Sequence, residues 1–485
     1  MPLKFGTSGL RGLVEEMTDR ECYLFARAFL RYSGGTVEAG EMALGGDFRA
    51  STPRIMGAVS LAARDEGAEV LFQGVLPTPA LTLYGITRSI PSIMVTGSHI
   101  PDDRNGIKFN LPRGEILKGD EPGIMECYRD LKEKDAGKKH FDLDGMLVSG
   151  VQERLPEESN SAMALYRERL LGFFRASGAL AGSRVVFYQH SSTSREVIPE
   201  ILEELGVEVL RKGFSDSFVP VDTEAVENIG LLAGWVREEE ADALFSTDGD
   251  GDRPLVIDEQ GNFIRGDILG IAVADFLGAE AIVTPVSCST SLERSGRFER
   301  ILRTRIGSPY VVEGMSRLAV DGEIVAGYEA NGGFLTGSLV PARQGGFPLP
   351  ALPTRDAALP MIAVLAAARK QGKTLSRLIA GLPNRFPDAE LTRGVPPETG
   401  QMVMDKIVGG GKEILEKRFG ASCGRVESTD LTDGYRVVFS SGDIVHFRPS
   451  GNAPEFRCYT ESGSREKAAD LSRQGIEWVR EIIQD

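Results

Sequence analysis

The chain has 485 residues, 41% hydrophobic and 26% charged, with a net charge of −15. That length exceeds a single hydrophobic core, so several domains are expected. The acidic balance argues against a nucleic-acid partner, which needs clustered Lys and Arg, and no apolar run reaches the roughly 20 residues of a membrane span. A small phosphorylated ligand remains admissible, because local cations or a bound metal can reverse the potential at one site. The opening Met1-Pro2-Leu3-Lys4 lacks the apolar stretch of a secretory leader, so a cytoplasmic protein without a membrane partner is expected. Five scattered cysteines (Cys22, Cys127, Cys288, Cys423, Cys458) without a C-x-x-C pair predict reduced thiols.

The first predicted unit runs from an apolar strand, Met42 to Leu44, through Asp47, Arg49 and Ser51-Thr52 into a helix over Ala58 to Ala63, and then past Gly67 into strand Val70 to Phe72. Next comes Val95-Thr96-Gly97-Ser98-His99-Ile100-Pro101, followed by Asn105-Gly106-Ile107-Lys108. An apolar strand, Ile93 to Val95, delivers a hydroxyl and an imidazole onto a glycine-bearing turn, with a lysine shortly after. A capped hairpin explains a lone Gly-Ser-His equally well, since a free serine hydroxyl is a weak nucleophile without activation or prior phosphorylation.

A second strand–helix–strand unit follows: Val185 to Tyr188, Ser192-Thr193, a helix through Ile198 and Leu202, then Gly206 and strand Val207 to Leu210. After strand Ala243 to Phe245 comes Ser246-Thr247-Asp248-Gly249-Asp250-Gly251-Asp252-Arg253. Three carboxylates this close are costly without a counter-ion, and hard oxygen ligands select Mg²⁺ or Ca²⁺. A calcium loop competes, with Glu259 at its last ligand position. That loop wants Gly where Arg253 stands, and Leu255 to Ile257 reads as strand rather than helix. A solvated acidic turn is the remaining reading.

The third unit has strand Ala281 to Pro285, Ser289-Thr290, a helix around Leu292 and strand Ile301-Leu302. In all three units a Ser or Thr is placed to cap the helix, and such crossovers imply a largely parallel sheet. Gly327-Tyr328-Glu329-Ala330-Asn331-Gly332-Gly333-Phe334 then offers a carboxylate and an amide beside flexible glycines, suited to sugar hydroxyls or equally to an ordinary turn. From Leu382 the prolines Pro383, Pro387, Pro396 and Pro397 suggest a linker. Beyond it lie helical patterns at Met404 to Ile407 and Glu413 to Phe419, strands Tyr435 to Phe439 and Ile444 to Phe447, and a last helix, Glu466 to Ile483. Between them, Arg448-Pro449-Ser450-Gly451-Asn452-Ala453-Pro454-Glu455-Phe456-Arg457 frames hydroxyl, glycine and amide groups with two arginines, a pattern that can hold a phosphate.

Together with the opening Phe5-Gly6-Thr7-Ser8-Gly9-Leu10-Arg11-Gly12 and the stretch Val75-Leu76-Pro77-Thr78-Pro79-Ala80, these ordered motifs resemble the α-D-phosphohexomutase superfamily over nearly the whole chain, and within it bacterial phosphomannomutases most. The resemblance implies an α/β fold of three related α/β domains with mixed, largely parallel sheets and a C-terminal α+β domain around a central cleft, divided at 1–150, 151–260, 261–380 and 381–485. It implies interconversion of hexose 6-phosphate and hexose 1-phosphate, with mannose favoured over glucose and glucosamine, through a hexose 1,6-bisphosphate that also acts as activator. Ser98 would carry the phosphoryl group. Asp248, Asp250 and Asp252 would bind one Mg²⁺ with an oxygen on Ser98, and Arg11, His99, Lys108 and Arg253 would surround the transferring group, with Lys108 as a candidate general base or acid. Glu329 and Asn331 would meet the sugar, and Arg448, Ser450, Gly451, Asn452 and Arg457 the non-reacting phosphate. The pattern commonly has Ser at Asn331, His at Gly333 and Thr-Glu at Asn452-Ala453, and often Lys or His in the loop that reads Gly307-Ser308-Pro309 here. These departures bear on substrate identity and shift acid/base weight to Lys108, Arg11 and His99. A non-catalytic sugar-phosphate binder is the alternative of another class.

Overall fold

Four β-sheets follow one another along the chain, one for each of four domains. The computed structural model describes residues 3–6, 9–34, 40–148, 155–178, 180–320, 322–342, 346–450 and 454–484. In the first sheet, strand Glu41–Gly46 lies parallel to both Glu69–Val75 and Ser92–Val95. Antiparallel strands Arg104–Leu111, Leu10–Leu13 and Lys4–Phe5 continue it on one side. The second sheet has Arg184–His190 parallel to Glu208–Phe214 and Ala243–Thr247, with Pro254–Asp258 and Phe263–Ile264 added antiparallel. In the third, Ala281–Pro285 is parallel to Val325–Tyr328, and Phe334–Thr336 and Leu352–Asp356 follow antiparallel.

The sheets are mixed, as expected, but parallel pairing is confined to the strands joined by crossovers. The reason is the length of the connection, since a short turn can join only antiparallel neighbours. In each sheet a central parallel strand ends and the chain turns directly into an antiparallel neighbour, and those turns are the Ser98, Asp248–Asp252 and Glu329 segments. Three unrelated-looking motifs thus occupy one topological position in three related domains.

The helix starts differ from expectation. Ser51 and Thr290 make no side-chain cap bond, and the second helix, Val197–Glu204, begins after Glu196. The hydroxyls instead tie loops together: Thr52 Oγ1 donates to Asp47 Oδ1 at 2.7 Å, and Ser192 Oγ pairs with Thr247 Oγ1 at 2.5 Å.

The fourth sheet is wholly antiparallel, in the order Phe386–Arg393, Glu455–Ser462, Ile444–Pro449, Tyr435–Phe439, Val426–Asp430. Part of the proline-rich stretch expected as a linker is therefore an eight-residue edge strand, Phe386–Arg393. Pro387 is tolerated there because an edge strand leaves one row of N–H groups outside the ladder. Helices Pro397–Gly409, Gly411–Cys423 and Arg465–Gln484 supply its apolar partners, including Phe419, Ile476 and Trp478 against Phe439 and Phe447. Burying each such side chain contributes about 2 kcal/mol. The chain packs as two units, Met1–Val283 with Gly307–Ile379 and Thr284–Ile306 with Ala380–Asp485. All five cysteines are free thiols, and among the described residues no helix is long and apolar enough to cross a membrane.

Candidate active site

Ser98 sits in a left-handed conformation, φ 58°, which costs a residue with a Cβ about 1–2 kcal/mol and persists only where the surroundings impose it. The surroundings here are one buried arginine. Arg49, 1% exposed, donates to four carbonyls of the loop: Ser98 (3.0 Å), Ile100 (2.5 Å), Pro101 (2.7 Å) and Arg104 (3.0 Å). Its charge is met by Asp47, which also accepts from Thr96 Oγ1 at 2.7 Å and from the Gly97 amide at 3.3 Å. Gly97 is required for this clasp, since a Cβ there would lie 2.6 Å from the Arg49 guanidinium carbon.

So held, Ser98 Oγ donates to Asp248 Oδ2 at 2.6 Å, 150 residues away in sequence. The two turns approach so closely that a Cβ on Gly249 would lie 2.7 Å from the Ser98 carbonyl oxygen. Asp248, Asp250 and Asp252 are fully buried, with ligand oxygens within 4.8 Å of one another. Each carboxylate is partly satisfied. Asp248 Oδ1 accepts from the amides of Asp252 and Arg253, both at 3.2 Å. Asp250 Oδ2 accepts from Thr78 Oγ1 and, at 2.6 Å, from Lys108 Nζ, which donates at the same distance to Asp252 Oδ2. Oδ1 of Asp250 and Oδ1 of Asp252 have no hydrogen-bond partner. Two orphaned, buried carboxylate oxygens beside a third carboxylate fit a hard divalent cation, because desolvated acceptors left unpaired are otherwise expensive.

The electrostatics follow from crowding. Burial, then the charges of Asp252 and Asp250, push the Asp248 carboxyl far above its ordinary range. Burial would raise Asp252 too, but Arg355, Lys108 and Arg253 outweigh it and hold that carboxyl low. Burial alone would lower Lys108, yet Asp250 and Asp252 win and it stays an ammonium group. His99 Nδ1 lies 3.2 Å from Ser98 Oγ, and burial together with Arg253 and Arg11 keeps its imidazole neutral. Arg11, desolvated and facing Arg253 and Arg355, is pulled down to about 10. Arg253 reaches Asp248 and Asp252 only at 3.8 and 3.7 Å. Arg11 thus carries a charge that its neighbours disfavour, and an anion beside it would relieve that cost.

Glu329, 4% exposed, lies in a tight turn closed by its amide to Gly333 O (3.1 Å) and by Gly332 N to its own carbonyl (3.0 Å). Asn331 uses its side-chain carbonyl inside that turn, accepting from Gly333 N at 2.9 Å. Of the expected residues, Ser98, His99, Lys108, Arg11, Asp248, Asp250, Asp252 and Arg253 come together, with Glu329 tied to them by Arg355. Arg355 was not anticipated. It donates to Asp252 Oδ2 through Nε at 3.1 Å and pairs with Glu329 Oε2 at 3.4 Å. Neither Arg49 nor Thr78 was singled out for this work either; the Asp47-x-Arg49 spacing beside Gly45-Gly46 was the available signal for the first.

In the C-terminal sheet, Arg448 and Arg457 are cross-strand partners. Like charges directly opposite are unfavourable unless compensated. Arg448 pairs with Asp433 at 3.0 Å and Arg457 with Glu455 at 3.1 Å. The Ser450 amide donates to Glu455 O at 2.8 Å, while Gly451 and Asn452 lie outside the described residues.

Comparison with known proteins places the chain in a family. Models for α/β/α domains I, II and III of the phosphoglucomutase/phosphomannomutase family match residues 2–135, 166–261 and 265–386. A phosphomannomutase of Sinorhizobium fredii is 41% identical over 98% of this chain and 98% of its own. One of Salmonella muenchen is 38% identical over 97% and 94%. The crystal structure of a phosphoglucomutase/phosphomannomutase family protein from Burkholderia thailandensis superposes with a TM-score of 0.75 at 19% identity, covering 98% and 97% of the two chains. The chain therefore belongs to the phosphoglucomutase/phosphomannomutase family, as a phosphohexomutase most similar to its phosphomannomutases.

Proposed function

We propose that the chain interconverts hexose 6-phosphate and hexose 1-phosphate, with mannose phosphate as preferred substrate, by way of phosphorylated Ser98. The observation that carries this is the 2.6 Å bond from Ser98 Oγ to Asp248, at a turn whose two other carboxylates each keep an unpartnered oxygen. Asp248, Asp250 and Asp252 hold Mg²⁺, which supplies charge neutralisation for a phosphoryl group on the seryl oxygen. A phosphoserine carries nearly two negative charges, and the cations at Arg11, Lys108 and Arg253 form its binding cradle once a divalent ion shares the aspartates.

In the forward step the free hydroxyl of a hexose phosphate attacks phosphorus, and the bond to Ser98 Oγ breaks as the new ester bond forms. Phosphoryl transfer needs positioning and charge stabilisation above all. Lys108, as an ammonium, stabilises the developing seryl oxygen and gives it a proton, then takes up the proton released by the attacking hydroxyl; His99, kept neutral, lies against the seryl oxygen through Nδ1. The bisphosphate product reorients and returns its other phosphate to Ser98. Glu329 and Asn331 serve the sugar, and Arg448, Ser450, Gly451, Asn452 and Arg457 the non-reacting phosphate, which the opposed arginines favour. The domain division at 1–150, 151–260, 261–380 and 381–485 and a cytoplasmic location complete the reading.

A coupled assay with mannose, glucose and glucosamine phosphates, Mg²⁺ and bisphosphate activator tests it. The highest kcat/KM is expected for mannose. Preference for glucose or glucosamine reassigns the substrate, and no turnover of any hexose phosphate favours the non-catalytic binder.

A further inference from the structure

Arg355 sits at the end of strand Leu352–Asp356, 2% exposed, on a backbone pinned on both sides. Thr354 Oγ1 donates to Glu115 Oε1 at 2.5 Å, and Asp356 accepts from Tyr166 (2.6 Å) and Arg169 (3.2 Å) while capping the following helix through the amides of Ala358 and Leu359. The stem of Arg355 passes over Gly333, where an added Cβ would lie 2.5–2.9 Å from its Cγ, Cδ and Cβ. From there its guanidinium forks, with Nε and Nη2 on Asp252 Oδ2 (3.1 and 3.0 Å) and Nη1 on Glu329 Oε2 (3.4 Å). The orphaned oxygen of Asp252 is the other one, Oδ1. One fixed cation therefore serves two carboxylates with different expected duties, and the closer pair is the one a divalent ion would share.

We infer that Arg355 is a positioning residue that links the two halves of the site, so that divalent-ion binding at the carboxylate turn and sugar binding at Glu329 strengthen each other through one guanidinium. The inference rests on the metal and sugar assignments proposed above. With a divalent ion held at the turn, Asp252 would hold Arg355 less strongly, and the guanidinium charge would fall more fully on Glu329. That fixes the Glu329 carboxylate in a single orientation, ready to accept from sugar hydroxyls without further ordering cost. Linkage is reciprocal, so bound sugar must also tighten the ion.

The test is calorimetric, on the full-length dephosphorylated chain. Mn²⁺ affinity is measured alone, with saturating mannose 6-phosphate, and with saturating inorganic phosphate, which carries the anion without the sugar. In the native chain mannose 6-phosphate tightens Mn²⁺ more than inorganic phosphate does, by an excess of about fivefold or more. The excess disappears in Arg355→Met, in Glu329→Gln and in Gly333→Ala, which keeps the guanidinium but displaces its stem. Arg355→Lys, a charge without a fork, loses it too, and serves if the methionine variant fails to fold. Folded Arg355 variants that retain the full excess overturn the inference and leave the functional reading standing. A native chain that binds no mannose 6-phosphate overturns both.

Discussion

The serine loop and the carboxylate turn occupy equivalent positions in two related domains, yet they are stabilised in opposite ways. The serine loop is held from beneath by one side chain, Arg49, whose fork collects carbonyls from Ser98 to Arg104. Its functional hydroxyl is presented by imposed backbone strain. The carboxylate turn folds on itself, with Asp248 accepting amides from Asp252 and Arg253, and takes further side-chain support both from His190 in its own domain and from Thr78, Lys108 and Arg355 outside it. On the function proposed above, a loop that presents one nucleophilic oxygen can be rigid. A turn that would exchange a metal beside a changing phosphate charge is better held by groups whose attraction shifts with occupancy.

The largest expected effect is on the turn. Asp250→Asn removes a charge from the proposed metal site while keeping the acceptor for Thr78, and should lower kcat at least about a hundredfold with the fold intact by circular dichroism. Activity near the native level would remove the metal assignment. For the loop, Arg49→Met strands several carbonyls and leaves Asp47 buried and unpaired. Chemical denaturation should register a loss of about 3–5 kcal/mol.

Acid should distinguish the two regions next. His190 supports the carboxylate turn through Nε2 to the Thr247 carbonyl at 2.9 Å, with Nδ1 buried and unpartnered. Burial lowers it to about 4. Because the folded-state value lies below the usual 6.5, the stability this group allows is complete above pH 6.5 and is lost as pH falls toward 4. Hydrogen exchange should therefore show residues 243–253 loosening over that window, and residues 93–106 loosening as well, because His99 is also held neutral there. His190→Gln should remove the first response and leave the second. The smallest effect concerns backbone strain: Ser98→Gly should be more stable than Ser98→Ala by about 1 kcal/mol in thermal melts, since only the alanine retains a Cβ at positive φ.

The sequence exposes the candidate chemical groups and conceals those that hold them. Ser98, Asp248, Asp250 and Asp252 announce themselves because their local patterns, a hydroxyl on a glycine turn and three alternating carboxylates, are costly without a purpose. Arg355 meets Asp252 across 103 residues; nothing in Pro353-Thr354-Arg355-Asp356 differs from a strand end. Pro387 suggested a linker because sequence does not reveal that a strand lies at a sheet edge. The hydroxyls at the helix starts suggest caps, yet loop partners such as Asp47 and Thr247 claim them instead. Local pattern reports local energy, and these choices were settled by contacts formed only on folding.

Phosphopeptide mapping after incubation with glucose 1,6-bisphosphate and Mg²⁺ tests the central claim most directly. The account predicts a single phosphoryl group on Ser98, lost on addition of a hexose monophosphate and retained when the divalent ion is chelated first. Phosphate on another residue, or a Ser98→Ala chain that labels and turns over as the native one does, would contradict it.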